Sequence, residues 1–216
     1  MYDWIFFDLD GTLTDPGEGI TNSVAHALEQ EGVPVPPRAE LYRFIGPPLV
    51  DSFMRFYGFS EERAHRAVEE YRDYFRDRGI FENQVYDGVP QMLETLRREG
   101  KRLCLATSKP EPFAKQILEH FALTSYFEFV AGALMDETRT AKADVIAYAL
   151  DACGISEPSR VLMVGDRLHD VEGASQNGMD CLGVLFGYGS REELTAAGAR
   201  YLAENVADIP KWILSI

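Results

Sequence analysis

Trp4-Ile5-Phe6-Phe7-Asp8-Leu9-Asp10-Gly11-Thr12 is the stretch that decides the fold class. Four successive apolar side chains are too few for a helix and have no polar alternation, so they read as a strand buried on both faces. Asp8 stops the run, and the turn signals Asp10-Gly11 and Asp15-Pro16-Gly17 follow at once. The same form, an apolar run of strand length, recurs over residues 101–107, 127–131, 160–165 and 180–185. Helical periodicity fills residues 89–99, 112–120, 141–153 and 171–177 between them. Strands alternating with helices predict an α/β fold: a doubly wound, mostly parallel sheet of five strands, a Rossmann-like core. Its site should lie outside the carboxyl ends of the strands. Three of those ends carry a polar residue, Asp8, Thr107 and Asp166, and these three should come together.

Residues 17–84 break the alternation. Helix-like segments cover 20–31, 49–57 and 61–78, with Pro34, Pro36, Pro37 and Gly46-Pro47-Pro48 in the loops and Tyr86-Asp87-Gly88 as a re-entry turn. The expected organisation is a discontinuous core, 1–16 with 85–216, and a helical insert, 17–84, leaving from the end of the first strand where a lid would serve. Aromatic residues recur at helical spacing in it, Phe53, Phe56, Tyr57, Tyr71, Tyr74 and Phe75, and read first as the insert's own core.

The chain has 216 residues, 46% hydrophobic, enough for a sizeable core without disulfides. Its formal charge of −14 and its scattered Lys and Arg argue against nucleic acid and anionic membrane surfaces as partners. Three cysteines without CxxC spacing argue against a disulfide framework or a structural zinc site; Cys104 and Cys181 read as buried strand residues. With no basic leader and no apolar window of membrane-spanning length, a soluble, reducing, cytoplasmic setting is expected. An anionic substrate would need a metal or locally aimed donors to attract it, and a monomer or weak homodimer is the expected state.

The chemistry concentrates at the strand ends. Asp8 and Asp10, two residues apart, can lean to one side, and two such charges call for a cation or a shared proton. The bland alternative, Asp as turn former, does not require Asp8. An EF-hand fails on the position of its Gly, and neither GxGxxG nor GxxxxGK[ST] occurs. Val164-Gly165-Asp166-Arg167-Leu168-His169-Asp170 is a second acidic strand end. Asp166 with Asp8 would offer hard oxygen ligands suited to Mg²⁺, whereas Asp170 could be a first-turn helix acid and His169 a helix-start residue. Thr107-Ser108 before a helix can grip phosphate oxygens or simply cap the helix. Lys142 opens the helix before the Asp166 strand, where the helix dipole disfavours a cation.

Asp8-x-Asp10-Gly11-Thr12, Thr107, Lys142 and Gly165-Asp166-x-x-x-Asp170 resemble the four ordered motifs of the haloacid dehalogenase superfamily of phosphatases. The likeness spans nearly the whole chain, and the insert is similar to the small helical cap of the phosphoglycolate phosphatase-like branch. Within that branch, 43–49, 71–75, 106–110, 164–170 and Gly187-Tyr188-Gly189-Ser190 are similar to the bacterial 5'-nucleotidase-like subgroup. The Arg-Thr-Ala that precedes Lys142 departs from the pattern, since many relatives have Lys-Pro.

The resemblance implies that Asp8 is a nucleophile forming an aspartyl-phosphate and Asp10 the general acid and base. Asp8, the backbone carbonyl of Asp10, and Asp166 would hold Mg²⁺, with Asp170 ordering its surroundings. Gly11, Thr12, Thr107, Ser108 and Lys142 would bind phosphoryl oxygens. Arg43 and the Gly46 amide, on an insert loop, would meet the rest of the substrate, unless Arg43 only solvates a helix. An acid at position 10 favours a phosphatase over a dehalogenase or a P-type ATPase. The expected activity is hydrolysis of a phosphomonoester and the expected partner a small phosphorylated metabolite, a nucleoside 5'-monophosphate slightly ahead of 2-phosphoglycolate. A phosphomutase or a catalytically silent binding protein on the same fold are the alternatives.

Overall fold

The computed structural model describes residues 1–136 and 138–215. The chain divides into two compact units, Met1–Thr14 with Val85–Ile216, and Asp15–Gln84. Along the chain come β1 (Trp4–Phe7), β2 (Thr14–Asp15), then α1 (Gly17–Gln30), α2 (Arg38–Leu41), α3 (Leu49–Tyr57), α4 (Glu61–Tyr74) and β3 (Gln84–Val85). Next are α5 (Val89–Arg98), β4 (Arg102–Pro110), α6 (Glu111–His120), β5 (Phe129–Ala133), α7 (Lys142–Ala152), β6 (Val161–Gly165) and α8 (Leu168–Gln176). The chain closes with β7 (Asp180–Val184), α9 (Arg191–Ala197), β8 (Tyr201–Ala203) and α10 (Asp208–Ser215). Short β2 and β3 pair separately, where the chain passes between the units.

In the larger unit the sheet order is β5-β4-β1-β6-β7-β8, and every pair is parallel. From β1 the chain winds outward through β4 and β5 on one side, then returns to the centre and winds outward through β6, β7 and β8. The direction reverses between β1 and β6, the switch point where doubly wound sheets open a crevice. Asp8 follows β1 and Asp166 follows β6, so the reversal sets both acids at that crevice. All four residues of β1 are buried, as a central strand covered on both faces demands. Trp4 and Phe6 pack with Cys104, Ala106, Val145, Ile146, Ala149, Val171 and Ala174, so α7 and α8 cover one face. Burial contributes roughly 1.5–3 kcal/mol for each large apolar side chain.

The sheet has six strands rather than the expected five. β8 escaped notice because Tyr201-Leu202-Ala203 is only three residues long, and α9 and α10 because each spans barely two turns. β4 continues to Pro110, three residues beyond the predicted end, and α8 begins at Leu168 instead of 171.

The smaller unit is helical. Phe53, Tyr71 and Phe75 are buried in it, and Phe44, Phe53 and Phe56 cluster, with ring centroids 5.0 and 5.3 Å from Phe44. The helix predicted over 61–78 is α-helical only to Tyr74 and then widens into a π-turn over Phe75–Gly79. Gly79 needs that room: a Cβ there would stand 2.6 Å from Ser23 Oγ and 2.9 Å from Gly19 O of α1.

Candidate active site

Lys142, the first residue of α7, sends its ammonium under the carboxyl end of the sheet. Its Nζ lies 2.8 Å from Asp8 Oδ1, 2.8 Å from Asp170 Oδ1 and 3.1 Å from the carbonyl oxygen of Ala106 in β4. A cation at a helix N-terminus is unfavourable alone; here two carboxylates and a carbonyl hold it in a buried site. Burial opposes the charge, but Asp170 and Asp8 outweigh burial and hold the ammonium above its ordinary range. Gly173 of α8 leaves the space for the lysine stem, since a Cβ there would stand 2.9 Å from Lys142 Cγ.

Asp8, Asp166 and Asp170 each offer a carboxylate oxygen, and the three oxygens lie within 4.8 Å of one another. Apart from the Lys142 ammonium, Asp8 Oδ1 and Asp170 Oδ1 have no hydrogen-bond partner among the described residues. Asp166 accepts from the Tyr188 amide at 2.7 Å and, at a long 3.5 Å, from the Thr12 hydroxyl. Burial, then the charges of Asp170 and Asp8, push the Asp166 carboxyl well up. Burial also raises Asp170, with Lys142 opposing, to about 6. Three buried acids, two of them paired to one lysine, form a donor set short of positive charge. Hard oxygen donors with unsatisfied lone pairs fit a small divalent cation such as Mg²⁺.

The acid cluster is enclosed by glycines. Gly11 has φ +81°, and a Cβ there would fall 2.2 Å from Asp166 Oδ2. At Gly187 a Cβ would stand 2.3 Å from the Gly11 carbonyl oxygen and 2.4 Å from Asp166 Cβ, so only glycine lets this loop close over Asp166. Asp170 also caps α8, its Oδ2 accepting from the Arg167 amide at 3.1 Å. Glu193 of α9 braces the same turn, its Oε1 2.8 Å from Arg167 Nε and 2.9 Å from the Leu168 amide.

Asp10 stands apart from the three-acid cluster. Its Oδ2 is 2.6 Å from Lys109 Nζ, while Oδ1 is buried with no hydrogen-bond partner among the described residues. Burial raises the Asp10 carboxyl above its ordinary range, with Lys109 opposing. Thr107 is buried beyond Ala106, its Oγ1 accepting from the Lys109 amide at 3.2 Å, and Ser108 is half-buried beside it. Asp8, Asp10, Gly11, Thr12, Thr107, Ser108, Lys142, Asp166 and Asp170 therefore all belong to the larger unit. Arg43 and Gly46 belong to the smaller unit. There the exposed Arg43 guanidinium lies 4.3 Å over the Phe56 ring, and Gly46 has φ +103°. His169 is half-buried at the start of α8.

Glu193 carries no mark in the sequence, and Lys109 and the Gly187-Tyr188-Gly189-Ser190 loop stand out there only as part of the subgroup likeness, with no role in the site. Lys109 is one of five lysines, with no local mark of its own, until β4 is seen to run past β1. The loop did leave a signal, because Gly187-Tyr188-Gly189 places two glycines directly after a strand.

A doubly wound sheet with buried acids and two buried lysines paired to them at the ends of its central strands defines an enzyme of the phosphoryl-transfer kind. The chain belongs to the haloacid dehalogenase-like hydrolase family, whose model matches residues 5–184, and within it to the phosphatases. It is 51% identical over 195 residues to a 5'-nucleotidase of Pseudomonas aeruginosa, covering 90% of this chain and 88% of that protein. It is 44% identical over 185 residues to the tyrosine-protein kinase PtkA of Mycobacterium tuberculosis, covering 86% of this chain and 62% of that longer protein. A solved structure of a predicted phosphatase from Clostridium acetobutylicum superposes with a TM-score of 0.97 at 46% identity, each chain covered in full. Among the described residues no helix is long and apolar enough to cross a membrane.

Proposed function

We propose that the protein is a Mg²⁺-dependent phosphomonoester hydrolase working through an aspartyl-phosphate on Asp8, with a nucleoside 5'-monophosphate as the favoured substrate class and 2-phosphoglycolate second. The observation that carries this reading is the set of Asp8, Asp166 and Asp170 oxygens within 4.8 Å of one another, with Lys142 paired to Asp8 and Asp170. Asp8, Asp166 and the Asp10 carbonyl would hold the metal, with Asp170 orienting Lys142 beside it. When bound, Mg²⁺ supplies positive charge to the acids and the phosphoryl oxygens. The 51% identity to a 5'-nucleotidase supports the nucleotide preference, and a phosphoglycolate phosphatase of Caulobacter vibrioides at 30% identity supports the second choice.

A carboxylate oxygen of Asp8 attacks phosphorus as the bond to the leaving oxygen breaks. Asp10 gives its proton to that oxygen, so the product leaves as an alcohol. Water then attacks phosphorus, Asp10 takes a proton from it, and the bond from Asp8 to phosphorus breaks. Inorganic phosphate is released and both side chains are restored. Lys142 neutralises the attacking side chain, and Thr107, Ser108 and Thr12 bind phosphoryl oxygens; the Gly11 amide, expected to join them, instead donates to the Thr14 carbonyl at 2.8 Å. Burial of Asp10, which favours its protonated form, suits the first step. Arg43 and Gly46 would meet the nucleoside or glycolate part.

The test is phosphate release from nucleoside monophosphates, 2-phosphoglycolate and sugar phosphates, with Mg²⁺ or EDTA, beside Asp8→Asn. Acid quenching of the running reaction should capture one phosphate on Asp8. Release that survives Asp8→Asn, or ATP-dependent phosphorylation of tyrosine in place of release, would overturn the reading. Retention of the phosphoryl group on an isomerised sugar would make the protein a mutase.

A further inference from the structure

Asp10 presents two differently placed carboxylate oxygens, and Lys109 makes the difference. Oδ2 is held at 2.6 Å by the ammonium of a side chain that is 5% exposed; Oδ1 is buried with no hydrogen-bond partner among the described residues. An unrestrained carboxylate turns freely about its last torsion and presents either oxygen in many directions. Pinning one oxygen aims the other.

The sequence builds that pin by an irregularity in β4. The register between β4 and β5 is regular from Cys104 opposite Phe129 to Ala106 opposite Ala131, then slips before Pro110 opposite Ala133. Such slips at a sheet edge or active site re-aim side chains. Here the slip covers Thr107, Ser108 and Lys109, and the Thr107 hydroxyl anchors it by accepting from the Lys109 amide. Gly132 of β5 permits the close approach: a Cβ there would stand 2.5 Å from Glu111 Cα and 2.8 Å from the Lys109 carbonyl oxygen. The lysine backbone is thus fixed by packing on one side and by Thr107 on the other.

We infer that Lys109 is a positioning residue for Asp10: its ammonium grips Oδ2 and leaves Oδ1 as the oxygen that exchanges a proton with the leaving group. The inference rests on the reading of Asp10 as general acid. Lys109 acts through Asp10 and need not touch substrate. Its importance should therefore grow with the leaving group's need for a proton. An alkyl phosphate expels a strongly basic oxygen and needs the acid, whereas p-nitrophenyl phosphate expels a weakly basic phenolate and needs it far less.

The experiment compares kcat/KM, which reports on the steps through cleavage of the ester, for AMP and for p-nitrophenyl phosphate in the Mg²⁺-loaded enzyme. Wild type, Lys109→Met, Asp10→Asn and the double variant are measured. General acid catalysis contributes roughly 10²–10⁴-fold. Lys109→Met is expected to lower the ratio of the AMP to the aryl value by about tenfold or more, part of that range. Asp10→Asn should lower it further, and the double variant should be no worse than Asp10→Asn, because both changes remove one function. Lys109→Gln, which keeps a donor on a shorter stem, should show the same pattern to a smaller extent and covers the case that Lys109→Met does not fold.

Equal losses on both esters would make Lys109 a substrate or phosphoryl ligand and overturn the inference. An unchanged ratio in both Lys109 variants, with the ratio still lowered in Asp10→Asn, would also overturn it while leaving Asp10 as the acid. An unchanged ratio in Asp10→Asn would remove the reading of Asp10 itself, and the inference with it.

Discussion

Replacing Lys142 by Met removes the cation that balances Asp8 and Asp170 while nearly keeping the volume of the stem. At an effective dielectric of about 20, each contact at 2.8 Å has a gross Coulomb energy of about 6 kcal/mol. Against the two contacts stands the cost of burying an ammonium, several kcal/mol. Removing one partner of a buried pair nevertheless costs about 3–5 kcal/mol, because the remaining charges stay buried and unpaired. Metal-free Lys142→Met should lose that much stability at pH 8, read as the urea midpoint at constant slope. The loss should shrink on acidification. Burial already raises Asp166, and holds Asp170 at about 6, above the ordinary 3.8. Without Lys142, which opposes that rise, Asp170 should climb further, so the folded state takes up protons that the unfolded state does not. Stability of the variant therefore climbs from pH 8 to pH 5, and Mg²⁺ should restore part of it at pH 8. With the metal present, kcat for phosphate release should fall about 10²–10³-fold, the usual cost of one electrostatic stabiliser. A kcat within threefold of wild type, or a urea midpoint equally lowered at pH 5 and pH 8, would refute this reasoning.

Asp8→Asn should abolish metal-dependent release, with no phosphate captured by acid quench, yet fold as wild type by circular dichroism. Mg²⁺ binding at pH 6 should release protons, because the charge of the metal opposes the proton on neighbouring Asp170, and titration calorimetry in buffers of different ionisation enthalpy counts them. Asp170→Asn should bind with fewer protons released. Gly187→Ala must push its loop off Asp166, since the added Cβ would lie 2.4 Å from Asp166 Cβ; a loss of about 1–3 kcal/mol and weaker Mg²⁺ affinity are expected by thermal melt and calorimetry. Phe53→Ala, at a fully buried ring, should cost about 3–5 kcal/mol and appear first as protease sensitivity within 15–84.

Much of the fold was legible locally, and for a physical reason. A strand buried on both faces reads as an unbroken apolar run, and a carboxylate that ends such a run has no packing role there. Trp4–Phe7 followed by Asp8, and Val161–Gly165 followed by Asp166, stand out on that ground alone. β8, α9 and α10 were silent because three residues or two turns contain too few repeats to establish a period.

The sequence by itself determined which strands end in acids, that they alternate with helices, and that a helical stretch interrupts them, because these are properties of short windows. Only the tertiary structure decided that β1 and β6 flank the switch point, that Lys142 reaches Asp8 and Asp170 together, and that Asp170 joins Asp8 and Asp166. It alone also decided that Lys109 grips Asp10 and that Gly187 closes over Asp166. Each of these depends on charges or backbones far apart in the chain meeting where water is excluded. Such meetings follow from strand order and register, and no window of sequence records them.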